Sequence, residues 1–384
     1  MCLLFSNGCV RYGRNGIILI MESSPFFSII VPCYNVGKYV GVTIQSVREQ
    51  SFANWECLLA VETSTDDTLA VCEAAAAKDP RFRVLTGDHT GSASTPRNRA
   101  IAAAKGVYAV WLDGDDLLTE GALAKLAELA RANDLPDLIE SEMVENIEDA
   151  SGAVVRTRRN RNFDASQFGR VLTGEEAMVA AAQFSADLYP SPSMVTMRLD
   201  FVRANNLTFV DGLRFEDTEW FPRVLYAARR VLVTDFCAQV YRHHPHSETT
   251  VGCTASALVH MARVFGSLFR FYAAHAFSPA LSRAWARSQV SHFLEPFFLT
   301  APRAGIRGRD WTEAMGALWR EAGGRRAFLH LMRFAGLPKR VAAPLVALCG
   351  IHPLLDLPAK FYFTFLYYPL VMRQVRPRAA ETGT

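Results

Sequence analysis

From Phe26 onward the chain alternates short apolar runs with stretches of helical spacing. Phe26 to Val31 is an apolar run that stops at Pro32, and residues 38–50 follow with Val40, Ile44 and Val47 on one face, which predicts strand then helix. Trp55 to Val61 repeats the strand pattern, and a helix over 66–78 follows, with Ser64, Thr65 and Asp66 as cap candidates. Phe82 to Leu85 predicts a third strand, 95–104 a helix, and Val107 to Leu112 a fourth strand. A helix over 120–132, capped by Thr119, closes this half. Such alternation is that of an α/β domain, a mostly parallel sheet with crossover helices.

After Asp137 the pattern loosens. Residues 146–163, NIEDASGAVVRTRRNRNF, read as a solvated hairpin or loop, 173–184 as a short helix, and 215–228 as a helix with an acidic start. Residues 230–235 and 239–241 are strand-like, and apolar helical segments dominate from 255 on. The expected organisation is an amino-terminal extension over 1–24, with Met1 and Met21 both standing as starts, an α/β domain over 25–250, and a mainly α-helical region over 251–384.

Half of the 384 residues are hydrophobic, enough for a sizeable core. The 41 basic and 38 acidic side chains leave a net charge of +3, which argues against a nucleic-acid partner, since that footprint is a concentrated basic excess. Eight cysteines without a CxxC pair suggest neither a zinc site nor a disulfide framework, and fit buried thiols in a reducing, cytoplasmic setting. Residues 328–372 are apolar and aromatic, but Lys339, Arg340, His352, Asp356 and Lys360 break them into pieces too short to span a bilayer. Two readings stand for this segment: helices packed on the main domain, or a peripheral contact with the inner face of the cytoplasmic membrane.

Ligands of open parallel sheets collect at the carboxyl ends of the strands. The unusual residues lie there: Pro32-Cys33-Tyr34-Asn35 after the first strand, Glu62 after the second, and Asp113-Gly114-Asp115-Asp116 after the fourth. Neither a GxGxxG nor a GxxxxGK[ST] loop follows any of them. Asp113 and Asp115, alternating about Gly114, are candidates to share a magnesium or manganese ion, whereas Asp116 reads as the start of the next helix. A second acidic cluster, Glu216-Asp217-Thr218-Glu219, is either a solvated first helical turn or, if it faces the first cluster, a source of a general base. Tyr241-Arg242-His243-His244-Pro245-His246-Ser247 offers a guanidinium, imidazoles and a hydroxyl for phosphate oxygens; a structural loop is the alternative.

FSIIVPCYN (27–35), SVREQSFANWECLLAVETSTDDT (46–68), PRNRAIAAAKGVYAVWLDGDD (96–116), FEDTEW (215–220) and YRHHPHS (241–247) stand in an order and spacing that resemble the family 2 glycosyltransferases. That resemblance covers about residues 25–250. It implies a GT-A, Rossmann-like fold, a nucleotide-sugar donor, a divalent metal (Mn2+ or Mg2+), and inverting transfer to a glycan or lipid-linked acceptor in cell-surface polysaccharide synthesis. By the same likeness Pro32 and Tyr34 would line the base, Glu62 would accept from its imide, and Arg97 would contact the nucleotide or position the acidic loop. Asp113 and Asp115 would form the metal site, with Asp115 the direct ligand; from the residues themselves, His244 is a further candidate for the metal, and Arg242 and Ser247 are candidates for the phosphate oxygens. Asp217 would be the base, supported by Glu216. Glu62 stands where the family commonly has an aspartate, Pro96 replaces a more usual alanine, and the 190–198 segment lacks a tryptophan frequent in the acceptor region. A sugar nucleotidyltransferase and a non-catalytic glycosyltransferase-like scaffold are the competing readings.

Overall fold

The computed structural model describes the backbone of residues 2–5, 8–13 and 16–20, then residues 24–149, 151–184, 191–244 and 254–285, with 313, 316, 317 and 320. Strands β1 (Cys2–Phe5), β2 (Gly8–Gly13) and β3 (Gly16–Ile20) pair antiparallel as a small separate sheet. Most of 286–384, including the segment 328–372, lies outside the described residues.

The expected alternation is realised as β4 (Phe27–Cys33), α1 (Gly37–Arg48), β5 (Trp55–Glu62), α2 (Thr68–Lys78), β6 (Phe82–Gly87), α3 (Ser94–Ala103) and β7 (Tyr108–Trp111). β4 is flanked by β5 and β7, β6 lies outside β5, and all these pairs are parallel. Every residue of β5 is buried, as a strand covered by helices on both faces requires. Helix α1 buries Val40, Thr43, Ile44 and Val47, the i, i+3, i+4, i+7 stripe of a helix on a sheet.

Next come β8 (Leu117–Leu118), α4 (Ala122–Ala132), β9 (Leu138–Glu148), β10 (Val154–Asn160), β11 (Val171–Leu172), α5 (Gly174–Phe184), β12 (Val195–Arg198), α6 (Leu199–Ala204), α7 (Glu216–Ala227), β13 (Val231–His243) and α8 (Ala255–Ala274). The main sheet runs β11-β13-β9-β12-β7-β4-β5-β6, with β10 on β9 and β8 on β13. It is mixed, because β12 enters antiparallel between β7 and β9. Helices α1, α2 and α4 pack on one face, and α3, α5, α6, α7 and α8 on the other.

Two expectations are corrected. Thr119 does not cap α4: its hydroxyl donates to the Cys237 and Ala238 carbonyls of β13, and Gly121, at positive φ, precedes the helix. Asp116 does not start a helix either, since β8 follows it and its side chain is buried. The loosened region after Asp137 contains the 11-residue strand β9, forming the expected hairpin with β10. Its glutamates concealed it, and they are buried in pairs: Glu145 with Arg158, Asn160 and His243, Glu142 with Arg159, and Glu140 with Asn162 at 2.7 Å. Among the described residues no helix is long and apolar enough to cross a membrane.

Candidate active site

The carboxyl ends of β4, β5, β7 and β13 meet along one edge of the main sheet. β7 parts from β4 after the Ile30–Trp111 pair, and the chain then turns through Asp113 to Asp116. Gly114 is needed in this turn for close approach: a Cβ there would lie 3.0 Å from the Pro32 carbonyl oxygen and 3.0 Å from a Val36 methyl. The buried Thr43 hydroxyl of α1 donates to the Gly114 carbonyl at 3.0 Å, fixing the turn from below. Pro32 therefore acts on the acidic turn through its backbone.

The three aspartates diverge. Asp113 accepts from Arg97 Nη2 at 2.6 Å. Asp115 Oδ2 lies 3.0 Å from His244 Nε2, just past the end of β13, and His244 is stacked on Tyr39 with ring centroids 3.9 Å apart. Asp116 Oδ1 accepts the Arg242 backbone N–H at 2.8 Å, which ties the turn to β13. Burial, followed by the charges of Asp115 and Asp113, holds the Asp116 carboxyl well above the usual range. Its role is to anchor the turn, a role its place beside the other two aspartates did not reveal.

Helix α7 begins at Glu216 after Phe215 in the left-handed region (φ 60°). Beneath it Trp220 stacks on Phe209, and both rings meet Trp111 edge-on. Helix α3 holds the approach to α7: Asn98 exchanges hydrogen bonds with the Phe209 backbone, and Ser94 Oγ donates to the Leu213 carbonyl at 3.2 Å. Glu219 anchors the helix to α8 by accepting from Ser267 Oγ at 2.8 Å, while it pairs with Arg223.

Arg97 joins the two acidic clusters. Its buried guanidinium donates to Asp113 at 2.6 Å and to Glu216 at 2.5 Å. Burial opposes its charge, but the Asp113 and Glu216 carboxylates outweigh that and raise its pKa further. Asp217, next to this bridge, accepts from the Thr218 N–H at 2.7 Å. Desolvation, with Glu216 adding to it, pushes its carboxyl up to about 7. A carboxyl so poised exchanges protons readily near neutral pH.

At the β5 end Glu62 is 2% exposed and accepts from Thr90 Oγ1 at 2.6 Å and from the Thr90 N–H, with His89 Nδ1 2.9 Å away. The Tyr34 ring is stacked on His89. Asn35, at φ 50°, ties this loop to the next by accepting from the Thr65 N–H at 2.8 Å, while Asp66 accepts from Gly37 N–H at 2.8 Å. Arg242 is paired with Glu148 at 2.6 Å, so its charge is shared with that carboxylate before any phosphate arrives. Ser247 lies outside the described residues. No pattern in the sequence marks His89, Glu148 or Tyr39; only proximity in space connects them to the site.

No group of three or more His, Cys, Asp or Glu side chains forms a metal cage among the described residues. Asp115 and His244 nevertheless offer an oxygen and a nitrogen donor facing each other. This small set suits an ion whose shell is completed by diphosphate oxygens and water.

Residues 28–171 match the protein family described as "Glycosyl transferase family 2". Glycosyltransferase GlyG of Streptococcus pneumoniae is 26% identical over 227 residues, which are 58% of this chain and 73% of that protein. An Escherichia coli enzyme, WfgD, described as a UDP-Glc:alpha-D-GlcNAc-diphosphoundecaprenol beta-1,3-glucosyltransferase, is 37% identical over 91 residues, 23% of this chain and 35% of that one. S. aureus TarS, crystallised with UDP-GlcNAc, superimposes with a TM-score of 0.62 over 87% of this chain and 89% of that chain. At 18% identity that likeness shows the fold, which is the expected GT-A type.

Proposed function

We propose that this chain, whose residues 28–171 match glycosyl transferase family 2, is a transferase that inverts the anomeric configuration of a UDP-sugar donor as it passes the sugar to a hydroxyl of a glycan or lipid-linked acceptor. The observation that carries the reading is the Arg97 bridge, because one guanidinium binds both the Asp113 loop and the start of the helix bearing Asp217. The donor's departing oxygens and the acceptor's proton thereby have neighbouring sites.

In the proposed reaction the acceptor oxygen attacks the anomeric carbon from the face opposite the diphosphate. The new C–O bond forms as the sugar–diphosphate bond breaks, the electron pair leaves on the diphosphate oxygen, and Asp217 takes the hydroxyl proton. Glu216, held by Arg97, keeps negative charge beside Asp217 and so sustains its basicity. Asp115 and His244 would hold a divalent cation, which when bound offsets the charge of the leaving group. Tyr34 and Glu62 take the base, the tyrosine by stacking and the carboxylate by accepting an imide N–H.

The sequence similarity to WfgD supports a lipid-diphosphate acceptor, and the similarity to GlyG supports transferase activity. The test is nucleotide release from a panel of nucleotide sugars with Mn2+ or Mg2+, with and without polyprenyl-diphosphate sugar. UDP release is expected, and it should be nearly abolished in Asp115→Asn and Asp217→Asn. A folded Asp217→Asn protein that keeps most of its turnover would show that another group is the base.

A further inference from the structure

His89 lies where a nucleobase is expected. Its imidazole rests on the Tyr34 ring with centroids 3.6 Å apart and planes 7° from parallel. Its Nδ1 is 2.9 Å from Glu62 Oε2, the contact that an Nδ1–H tautomer makes by donating to a carboxylate. A uracil ring held by this pair makes the same two contacts, one face on the tyrosine and one ring N–H donated to the carboxylate. At 3.6 Å the two rings are already in van der Waals contact, so no base enters between them. The other Glu62 oxygen is engaged by Thr90 Oγ1 and N–H.

We propose that His89 is a resident substitute for the nucleobase, filling its place in the nucleotide-free protein and leaving Tyr34 and Glu62 when the donor binds. The inference rests on the reading of Tyr34 and Glu62 as the base site. His89 is carried by the loop between β6 and α3, outside the regular elements, and the imidazole is partly exposed. Displacement makes nucleotide affinity the product of the intrinsic affinity and the fraction of molecules whose pocket is vacated. His89 thus sets a threshold for donor binding.

Calorimetric titration of the full chain with UDP and, separately, with inorganic pyrophosphate, both with Mn2+, tests this. His89→Ala is expected to bind UDP about tenfold more tightly, the change that follows if roughly nine pockets in ten are filled by the imidazole. Pyrophosphate affinity should not move, because it has no base. Unchanged or weaker UDP binding by the folded variant overturns the proposal, as does an equal gain for pyrophosphate. If His89→Ala fails to fold, His89→Asn serves in its place; it keeps a donor for Glu62 but no ring for Tyr34, so a smaller gain for UDP alone supports the proposal and none overturns it. Tyr34→Ala is made in the background of whichever His89 variant folds, where no imidazole competes for the ring. Weaker UDP binding there supports the base site, and unchanged binding overturns the base-site reading and this inference with it. UDP binding by none of these proteins also overturns both.

Discussion

Replacing Arg97 with methionine removes the guanidinium that joins the two acidic clusters and keeps most of its apolar stem. It leaves Asp113, 32% exposed, and Glu216, 13% exposed, without their shared cation. Deleting one partner of a buried ion pair typically costs about 3–5 kcal/mol. Water reaches Asp113, and Arg97 Nε has no hydrogen-bond partner whose loss would add to the cost, so the lower end applies, about 3 kcal/mol. For a domain of this size that corresponds to a fall in Tm of roughly 6–12 °C. The variant should also lose most turnover, because Asp113 and Glu216 then repel each other and the acidic turn and α7 lose their common tether. Arg97→Lys should recover part of the stability but little activity, since an ammonium cannot serve as a planar fork to both carboxylates. Thermal and urea unfolding, read beside UDP release, check this. A methionine variant that melts within about 2 °C of the parent and keeps its turnover would refute the bridge as the organising contact.

With its carboxyl pushed up to about 7, Asp217 should give kcat/KM an acid limb that rises through neutral pH. A folded-state pKa above the ordinary 3.8 means that the stability it confers is complete below that value and lost as pH rises through 7. Asp217→Asn should therefore be inactive yet more resistant to heat than the parent at pH 8, with the advantage vanishing near pH 4 in calorimetry. Burial, only partly offset by Asn162, pushes Glu140 up to about 8. Its contribution is likewise lost as pH climbs from about 4.5 through 8, so Glu140→Gln should flatten the stability profile there and gain most above pH 8. Gly114→Ala must push the Pro32 carbonyl or Val36 by a few tenths of an ångström. A cost of about 1–2 kcal/mol in stability is expected, with a larger loss in kcat than that implies, measured by urea unfolding and UDP release.

The correspondence between chain and structure is uneven, and the reasons are physical. β4, β5 and β7 are legible because a parallel strand covered on both faces is mostly apolar, with only Ser28, Glu56 and the terminal Glu62 departing from that in β4 and β5, and α1 because its buried stripe repeats at helical spacing. β9 is not, because Glu140, Glu142 and Glu145 break its pattern, and the groups that let them be buried belong to residues 158–162 and 243. The four-residue strand β12 is hidden in the sequence for a different cause: it joins the sheet only through β7 and β9, its distant neighbours. Local pattern also misassigned Thr119 and Asp116, whose partners lie on β13, more than a hundred residues away.

Tyr34, Glu62, Asp113 and Asp115 can be placed at the strand ends of an α/β sheet from the chain alone, because alternation of strand and helix puts those ends on one edge whatever the details. The sequence also marks Glu216 and Asp217 as a second acidic cluster. It takes the folded chain to bring one arginine onto both clusters, His244 opposite Asp115, Asp116 onto the backbone of β13 and His89 over Tyr34. Periodicity records which face of an element is buried. Which charge meets which depends on contacts between residues far apart in the chain, and burial then fixes how strongly each one holds its proton.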